Sequence, residues 1–222
     1  MKMFLTSVRT CVGDIPEFKA LLNRDTKLVI LPISYHKDYI NNASDVIKHF
    51  DRNPFNEESI FYETVRPFID AGITEEQIVV LNPWCDPQGY IEHRITNENT
   101  ILYLPGGYPE IIAENVKKFK LLKAIKQAKV IVGESAGSMV VSKNFFVYRD
   151  QDYSGYKAFK GLGLKNNIAI IPHFTQENKN IRLACERFAL RHVCTKILCI
   201  EDGGYVIVNN RRIVKAHKTY KY

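Results

Sequence analysis

The chain has 222 residues, of which 45% are hydrophobic, and its formal net charge at pH 7 is +7. This length and apolar content are enough to bury the core of one globular domain, so we expect residues 1–222 to form a single domain. No apolar stretch is long enough to span a membrane, and five cysteines without a C-x-x-C repeat argue against a disulfide framework or a zinc site.

Short apolar runs alternate with helical patterns from the N-terminus onward. Residues 1–6 predict a first strand rather than a secretory signal, so we expect the protein in the reducing cytoplasm. Further strands are predicted at residues 27–33, 77–81, 100–104, 130–133, 168–171 and 196–200. Helical spacing marks residues 57–70 and 110–128, and residues 205–214 predict a C-terminal β-hairpin. This alternation indicates an α/β fold, a three-layer sandwich with a mostly parallel sheet covered on both faces.

The basic residues are concentrated in two places. One group crowds a face of the predicted helix 110–128, opposite its apolar stripe, and the other lies in the C-terminal tail. The first group is Lys117, Lys118, Lys120, Lys123, Lys126 and Lys129, and the second is Arg211, Arg212, Lys215, Lys218 and Lys221. A solvated helix face and a solubilising tail explain both groups, and the sequence has no Walker motif, zinc knuckle or RNP-like aromatic pair. We therefore expect no nucleic-acid partner.

Residues 130–140 form the most informative segment, Val-Ile-Val-Gly-Glu-Ser-Ala-Gly-Ser-Met-Val. An apolar strand runs here through a Gly-x-Ser-x-Gly turn into a short helix, which is the pattern of a nucleophile elbow. A nucleophilic serine must project from a strained turn, and Gly133 and Gly137 remove the side chains that would clash there. Ser135 is therefore the candidate nucleophile. An ordinary turn rich in glycine and serine is the alternative for this pattern.

Two further strand ends offer the base and the acid that a nucleophilic serine needs. His173 follows a β-branched run, and the ends of parallel strands form the edge where ligands bind in open α/β sheets. Glu201 and Asp202 follow the next predicted strand, where a plain Asp-Gly turn is the alternative. The other histidines lie in polar or helical surroundings typical of the surface. In an α/β-hydrolase the triad residues follow one another along the chain as serine, acid and histidine. In this sequence that order would require His217 as the histidine.

The oxyanion that forms when serine attacks a carbonyl needs two preorganised backbone donors. The N–H of Ala136, directly after the candidate nucleophile, is the first candidate. Gly106 and Gly107 follow a predicted strand and precede a helix that begins near Pro109, so this loop is the candidate for the second donor. A plain turn with proline at the first helical position is the alternative.

Four segments together resemble the aspartyl dipeptidase (dipeptidase E) family of serine peptidases, whose fold is similar to class I glutamine amidotransferases. The segments are Gly133-Glu134-Ser135-Ala136-Gly137, Pro172-His173-Phe174-Thr175, Glu201-Asp202-Gly203 and Gly106-Gly107. The resemblance implies Ser135 as nucleophile, His173 as base and Asp202 as the third member of the triad. It also implies Gly107 and Ala136 as oxyanion donors. Such a triad requires neither a metal nor an organic cofactor.

The chain differs from the family's pattern at three places. The acid is often a glutamate in the family, so Glu201 competes with Asp202 for that role. Tyr108 stands where an asparagine commonly follows the oxyanion glycines. Known members recognise an N-terminal aspartate through an arginine on the helix after the catalytic histidine, and the candidates here are Lys179 and Arg182.

We therefore expect a cytoplasmic serine peptidase that hydrolyses short peptides, with dipeptides that carry an N-terminal aspartate as candidate substrates. An exopeptidase needs an anion near its serine for the substrate's α-amino group, and Glu134 or Glu201 is the candidate. Residues 145–163 are rich in tyrosine, lysine and glycine, and we expect an irregular excursion there that borders the substrate pocket. The oligomeric state stays open between a monomer and a homodimer.

Three alternative functions also stay open. The first is an α/β-hydrolase-type esterase with the triad Ser135, Asp202 and His217. The second is a non-catalytic member of the same fold that binds a small molecule or a partner, because fold does not determine function. The third is cleavage of another acidic polymer or isopeptide, as in the related cyanophycin-degrading enzymes.

Overall fold

The computed structural model describes residues 1–192, 195–210 and 212–222 of the chain. One of the five cysteines, Cys194, and one of the basic residues of the C-terminal tail, Arg211, lie outside the described residues. The β-strands are β1 (Lys2–Thr6), β2 (Lys27–Ile30), β3 (Ile78–Val80), β4 (Thr100–Leu104), β5 (Val130–Glu134), β6 (Asn144–Val147), β7 (Lys157–Lys160), β8 (Ile168–Ile171), β9 (Lys196–Asn209) and β10 (Arg212–Lys221). The α-helices are α1 (Pro16–Lys19), α2 (Ala43–His49), α3 (Phe61–Asp70), α4 (Gln88–Thr96), α5 (Pro109–Lys118), α6 (Leu122–Gln127), α7 (Ala136–Val140) and α8 (Lys179–Arg191).

The main sheet has the strand order β10-β9-β1-β5-β4-β2-β3, and β8 pairs with β9 outside this path. Strands β1, β5, β4, β2 and β3 run parallel to one another. Strand β9 is antiparallel to β1 and β10 but parallel to β8. The predicted α/β fold with a mostly parallel sheet is therefore confirmed, and so is the C-terminal hairpin, which β9 and β10 form.

Helices cover both faces of the central strands. Successive residues of a strand point to opposite faces, so each strand contributes to two cores. Leu102 and Ile131 pack with residues of α4, α5 and α6 in one apolar cluster. Ile101 and Tyr103 pack with residues of α1, α2 and α3 in a second cluster on the opposite face. The result is the expected arrangement of three layers.

A third apolar cluster fixes the end of β8. In this cluster Ile181 and Phe188 of α8 lie with Ile171 of β8 and Ile197 of β9. All four side chains are fully buried. Burying an apolar side chain of this size stabilises the fold by roughly 1.5–3 kcal/mol, so α8 holds β8 and β9 firmly together. The residues directly after β8, Pro172 and His173, therefore begin at a fixed position in the fold.

The elements differ from the predictions at several places, of which three are the largest. The helix expected over residues 110–128 is divided into α5 and α6, because Lys120 adopts a left-handed backbone with φ +56. The strand expected to end at Ile200 continues to Asn209, because it hydrogen-bonds first to β8 and then to β1. Residues 145–163 were expected to be irregular, but they include the antiparallel pairing of β6 with β7.

Three further properties concern the described residues as a whole. None of their helices has the length and apolar character needed to cross a membrane. Within the same residues, no group of three or more His, Cys, Asp and Glu side chains is arranged to hold a metal ion. The described cysteines, Cys11, Cys85, Cys185 and Cys199, are free thiols.

Candidate active site

Ser135 lies on the sharp turn between β5 and α7. Its backbone has φ +46, a left-handed conformation that costs a residue with a side chain roughly 1–3 kcal/mol. A β-carbon at Gly137 would lie 2.0 Å from the Leu104 carbonyl oxygen. A β-carbon at Gly133 would lie 2.7 Å from the Gly137 carbonyl oxygen. Close packing on both sides of Ser135 therefore requires glycine, which explains the Gly-x-Ser-x-Gly spacing.

His173 follows the end of β8, and its imidazole lies between Ser135 and Asp202. The His173 Nε2 is 3.0 Å from the Ser135 Oγ, and the His173 Nδ1 is 2.8 Å from the Asp202 Oδ1. An ionised carboxylate only accepts hydrogen bonds, so we assign the ring proton to Nδ1, which donates to Asp202. Nε2 then accepts from the Ser135 hydroxyl. These distances are those of a nucleophile, a base and an orienting acid.

The Asp202 carboxylate is kept ionised by its neighbours. Partial burial raises its pKa, but hydrogen bonds from Ser7 and His173 outweigh burial and hold the pKa below the usual aspartate value. The Ser7 Oγ–H donates to the Asp202 Oδ1 at 2.7 Å. At neutral pH, Asp202 is therefore an anion that accepts hydrogen bonds from both Ser7 and His173.

Asp202 reaches His173 at the point where β9 changes its partner strand. The first part of β9 pairs with β8 and the last part with β1, and Asp202 lies between the two. The acid thus lies within a continuous strand, whereas the sequence predicted it directly after the end of a strand. Glu201, one residue earlier, faces the Tyr220 hydroxyl of β10 and raises its pKa. Adjacent residues of a strand point to opposite faces, which separates Glu201 from Asp202.

The loop of Gly106 and Gly107 is fixed from two sides. The Ser34 Oγ donates to the Gly106 carbonyl oxygen at 2.6 Å, and the Tyr108 N–H donates to the Ser34 carbonyl oxygen at 2.8 Å. From the other side, the Gly106 N–H donates to the Glu134 carboxylate at 3.2 Å. Across the described residues, no hydrogen bond uses the N–H of Gly107.

Ala136 is the first residue of α7, and its N–H points out of the helix end. The first N–H groups of a helix have no partner within the helix, and the described residues offer the Ala136 N–H none elsewhere. Among the described residues, the N–H groups of Gly107 and Ala136, the two donors named from the sequence, thus have no hydrogen-bond partner and are available to bind a ligand beside Ser135.

Glu134 links the nucleophile strand to the glycine loop. Its side chain is buried, and one carboxylate oxygen accepts hydrogen bonds from the Tyr103 hydroxyl and the Gly106 N–H. Burial and the Glu134 charge hold the Tyr103 pKa well above its ordinary value, so the hydroxyl stays protonated and donates. The other carboxylate oxygen lies 3.8 Å from the Arg9 Nε. Besides its predicted contact with substrate, Glu134 therefore positions the loop.

Replacing Gly107 by alanine is expected to displace this loop. Gly107 has φ +134, and a β-carbon there would lie 2.5 Å from the Ser34 carbonyl oxygen. We expect a loss of about 1–3 kcal/mol in stability and a kcat that is about 100-fold lower, because the Gly107 N–H would shift away from Ser135. Thermal unfolding and peptide turnover measure the two effects. Gly89→Ala is the matched control, since a β-carbon at Gly89 meets nothing within 4 Å. Unchanged turnover in Gly107→Ala would remove the loop from the oxyanion site.

Two pockets meet at Ser135 and His173. The first, which we call the Arg9 pocket, has a volume of about 360 Å³. It is also lined by Arg9, Tyr35, Tyr39, Ile60, Glu63, Gly106, Gly107 and Glu134. The second, which we call the Tyr148 pocket, has a volume of about 470 Å³. It is also lined by Pro109, Met139, Val147, Tyr148, Asp150, Gln151, Asp152, Tyr153 and Pro172. The segment 145–163 thus borders a pocket at the serine, as hypothesised.

The Arg9 pocket combines one cation with two anions. The Arg9 Nη2 lies 2.6 Å from the Glu63 Oε1, and its Nε lies 3.8 Å from the Glu134 Oε1. Burial lowers the Arg9 pKa, but the nearby charges, among them those of Glu134 and Glu63, raise it by more, so the guanidinium stays charged. No lysine and no second arginine of the described residues lines either pocket. Arg9 belongs to no sequence motif, so it was not among the predicted site residues.

Three residues named from the sequence are not part of this arrangement. Lys179 and Arg182 are exposed on α8 and line neither pocket at Ser135. His217 is exposed on β10, with its ring centroid 5.4 Å from that of Tyr205. The alternative triad with His217 is therefore not assembled, since His173 occupies the position between the serine and the acid.

Comparisons with known proteins give the following results. A sequence model of the family described as Peptidase family S51 matches residues 56–216. The fold is similar to that of a "Putative Peptidase E Protein" from Listeria monocytogenes EGD-e, with a TM-score of 0.62 and 16% identity over 100% of this chain and 98% of that chain. It is also similar to a peptidase from an acI-B1 Actinobacterium, with a TM-score of 0.59 and 14% identity over 100% of this chain and 96% of that chain. No curated protein sequence matches the chain.

Proposed function

The chain belongs to peptidase family S51, a family of serine peptidases, and we propose that it is an exopeptidase that hydrolyses short peptides through an acyl-enzyme on Ser135. The observation that carries the proposal is the line of hydrogen bonds from Ser135 through His173 to Asp202, with distances of 3.0 Å and 2.8 Å. This line lies where two pockets meet, so a peptide bond has access to the serine from both sides.

In the acylation step, the Ser135 Oγ attacks the scissile carbonyl carbon while the His173 Nε2 takes the hydroxyl proton. The carbonyl oxygen becomes an oxyanion, which the N–H groups of Gly107 and Ala136 stabilise. As the C–N bond breaks, the protonated His173 gives its proton to the leaving amine. An ester between the acyl group and Ser135 remains.

Deacylation repeats these steps with water. His173 removes a proton from the water as it attacks the ester, and then returns that proton to the Ser135 Oγ. Throughout, Asp202 holds the His173 Nδ1–H and stabilises the positive charge that develops on the imidazole. No further group enters the reaction, so the substrates are the peptide and water.

The Arg9 pocket supports binding of a free N-terminus. An α-ammonium group needs an anion near the serine, and Glu134 and Glu63 line this pocket. Glu201, the other candidate named from the sequence, faces Tyr220 instead. The side chain of an N-terminal aspartate would also need a cation as its partner. We assign this role to Arg9, whose guanidinium would bind the substrate carboxylate in place of Glu63.

A panel of dipeptides and tripeptides, each with a free and an N-acetylated N-terminus, tests this assignment. We expect acetylation to lower kcat/KM about 10- to 100-fold, because it removes a charged hydrogen bond worth about 1.5–3 kcal/mol. Mass spectrometry follows the products, and the Ser135→Ala variant controls for contaminating peptidases. Asp-Leu and Asn-Leu within the panel measure preference for an aspartate side chain. Equal turnover of free and acetylated peptides would contradict recognition of a free N-terminus in the Arg9 pocket, and efficient cleavage of isopeptides alone would favour the polymer-degrading alternative.

The proposal also covers the domain organisation, the cellular compartment and the oligomeric state of the protein. We assign residues 1–222 to one catalytic domain, because the strands that carry Ser135, His173 and Asp202 belong to one sheet. The free thiols of the described cysteines suit a reducing cytoplasm. The reacting groups all come from one chain, so a monomer and a homodimer are equally compatible with the mechanism.

A further inference from the structure

Ser7 occupies a position between the two strands that carry the reacting groups. It directly follows β1, and in the sheet β1 lies between β5, which leads to Ser135, and β9, which carries Asp202. Its side chain is fully buried. A hydroxyl in this place has no water to bind, so its hydrogen bonds must go to protein groups.

The Ser7 hydroxyl makes hydrogen bonds to both partners of the triad. Its Oγ–H donates to the Asp202 Oδ1 at 2.7 Å, and its Oγ accepts the backbone N–H of His173 at 2.7 Å. The same Oγ lies 3.4 Å from the His173 Nδ1, whose proton goes to Asp202. One buried side chain therefore fixes the acid by its carboxylate and the base by its backbone.

Both groups need such support. The Asp202 side chain is 63% exposed, so without a second hydrogen bond its carboxylate would be free to rotate into solvent. His173 has φ +54, a backbone conformation that a residue with a side chain adopts only when its surroundings impose it. The bond from the His173 N–H to Ser7 is one of the contacts that impose it.

We propose that Ser7 is a positioning residue for the serine reaction: it holds the Asp202 carboxylate and the His173 backbone so that Nε2 faces the Ser135 Oγ. This inference rests on the proposed function, since it concerns the reactivity of Ser135. Ser7 does not touch the substrate. It acts through Asp202 and His173, and it therefore affects kcat more than KM.

The test uses a fluorophosphonate probe, which reacts with an activated serine without needing peptide specificity. The second-order rate of Ser135 labelling is measured for the wild type, Ser7→Ala and Ser7→Thr, together with kcat and KM for a cleaved peptide. We expect Ser7→Ala to lower the labelling rate and kcat about 10- to 100-fold with little change in KM, and Ser7→Thr, which keeps the hydroxyl, to recover most of this loss. Ser142→Ala is the matched control, because Ser142 is also a fully buried serine and its Oγ has no hydrogen-bond partner among the described residues.

A double-mutant cycle with Asp202→Ala separates positioning from a general loss of stability. If Ser7 acts through Asp202, Ser7→Ala should cost several-fold less in the Asp202→Ala background than in the wild type. Thermal unfolding of every variant identifies any that fails to fold. Equal labelling of the wild type and Ser7→Ala, or fully additive effects in the cycle, would contradict the positioning role of Ser7 and leave the proposed function intact. A wild type that neither reacts with the probe nor cleaves peptides would overturn the proposed function, and the role of Ser7 with it.

Discussion

Replacing Ser135 or His173 by alanine is expected to lower kcat for peptide cleavage by about 10⁴- to 10⁶-fold, and each single change should cost nearly as much as both together. The reason is that the two side chains act as a unit, since the His173 Nε2 lies 3.0 Å from the Ser135 Oγ and takes its proton. A residual rate above that in water should remain, because Gly107 and Ala136 still bind the oxyanion. Single-turnover and steady-state kinetics on a cleaved peptide measure these effects.

His217→Ala is the matched control for this prediction. It removes an exposed imidazole of β10 whose ring lies against Tyr205, so kcat should stay within about twofold of the wild type. Loss of activity in His217→Ala, with His173→Ala still active, would instead establish the serine, acid and histidine order of an α/β-hydrolase esterase. A wild type that cleaves neither peptides nor esters would identify a non-catalytic, ligand-binding member of the fold.

The parts of the site that the sequence predicted well are those set by local chemistry. Ser135 lies between two glycines that only a tight strand-to-helix turn requires, and His173 follows a short β-branched run that had to be a buried strand. Both signals come from neighbours within a few residues. The ends of parallel strands meet at one edge of a sheet, so two such signals were enough to bring the two side chains together.

Asp202 lies beside His173, but in a different local structure from the one predicted. The sequence predicted that the strand ends at Ile200, and the glycines after Asp202 are typical of a turn, but β9 continues through this point because β8 and β1 take up its backbone hydrogen bonds in succession. In the strand, Gly203 has φ +79, and a β-carbon at Gly204 would lie 2.7 Å from the Lys218 carbonyl oxygen of β10. The glycines therefore serve strand packing, a tertiary effect that turn propensities do not include.

The residues that the sequence did not predict all depend on contacts between distant parts of the chain. Ser7 and Arg9 follow β1 without any motif, and they reach the site only because β1 lies between β5 and β9. His49 was expected at the surface but is buried, with its Nδ1 2.9 Å from the Glu58 carbonyl oxygen. Lys179 and Arg182 were named from the family resemblance, as basic residues on the helix after His173, but a place on that helix does not determine whether a side chain faces the site.

Asp202→Asn and Glu201→Gln are expected to separate the two adjacent carboxylates. Asp202→Asn should lower kcat by about 10²- to 10⁴-fold, because the amide no longer selects the tautomer of His173 that carries its proton on Nδ1. It also removes the negative charge that stabilises the imidazolium formed when Ser135 attacks. Glu201→Gln should leave kcat within about threefold, since the Glu201 side chain faces Tyr220 on β10.

Measuring kcat/KM as a function of pH for the wild type, Asp202→Asn and Glu201→Gln tests this prediction. The folded-state pKa of Asp202 is depressed, so the carboxylate is ionised at every pH above the usual aspartate value, and activity lost at mildly acidic pH does not come from its protonation. Asp202→Asn should therefore lower kcat/KM across the whole neutral range. If Glu201→Gln abolished turnover and Asp202→Asn preserved it, Glu201 would be the acid, and β9 would have to slip by one residue against β8 in the active protein, because only then would Glu201 face His173.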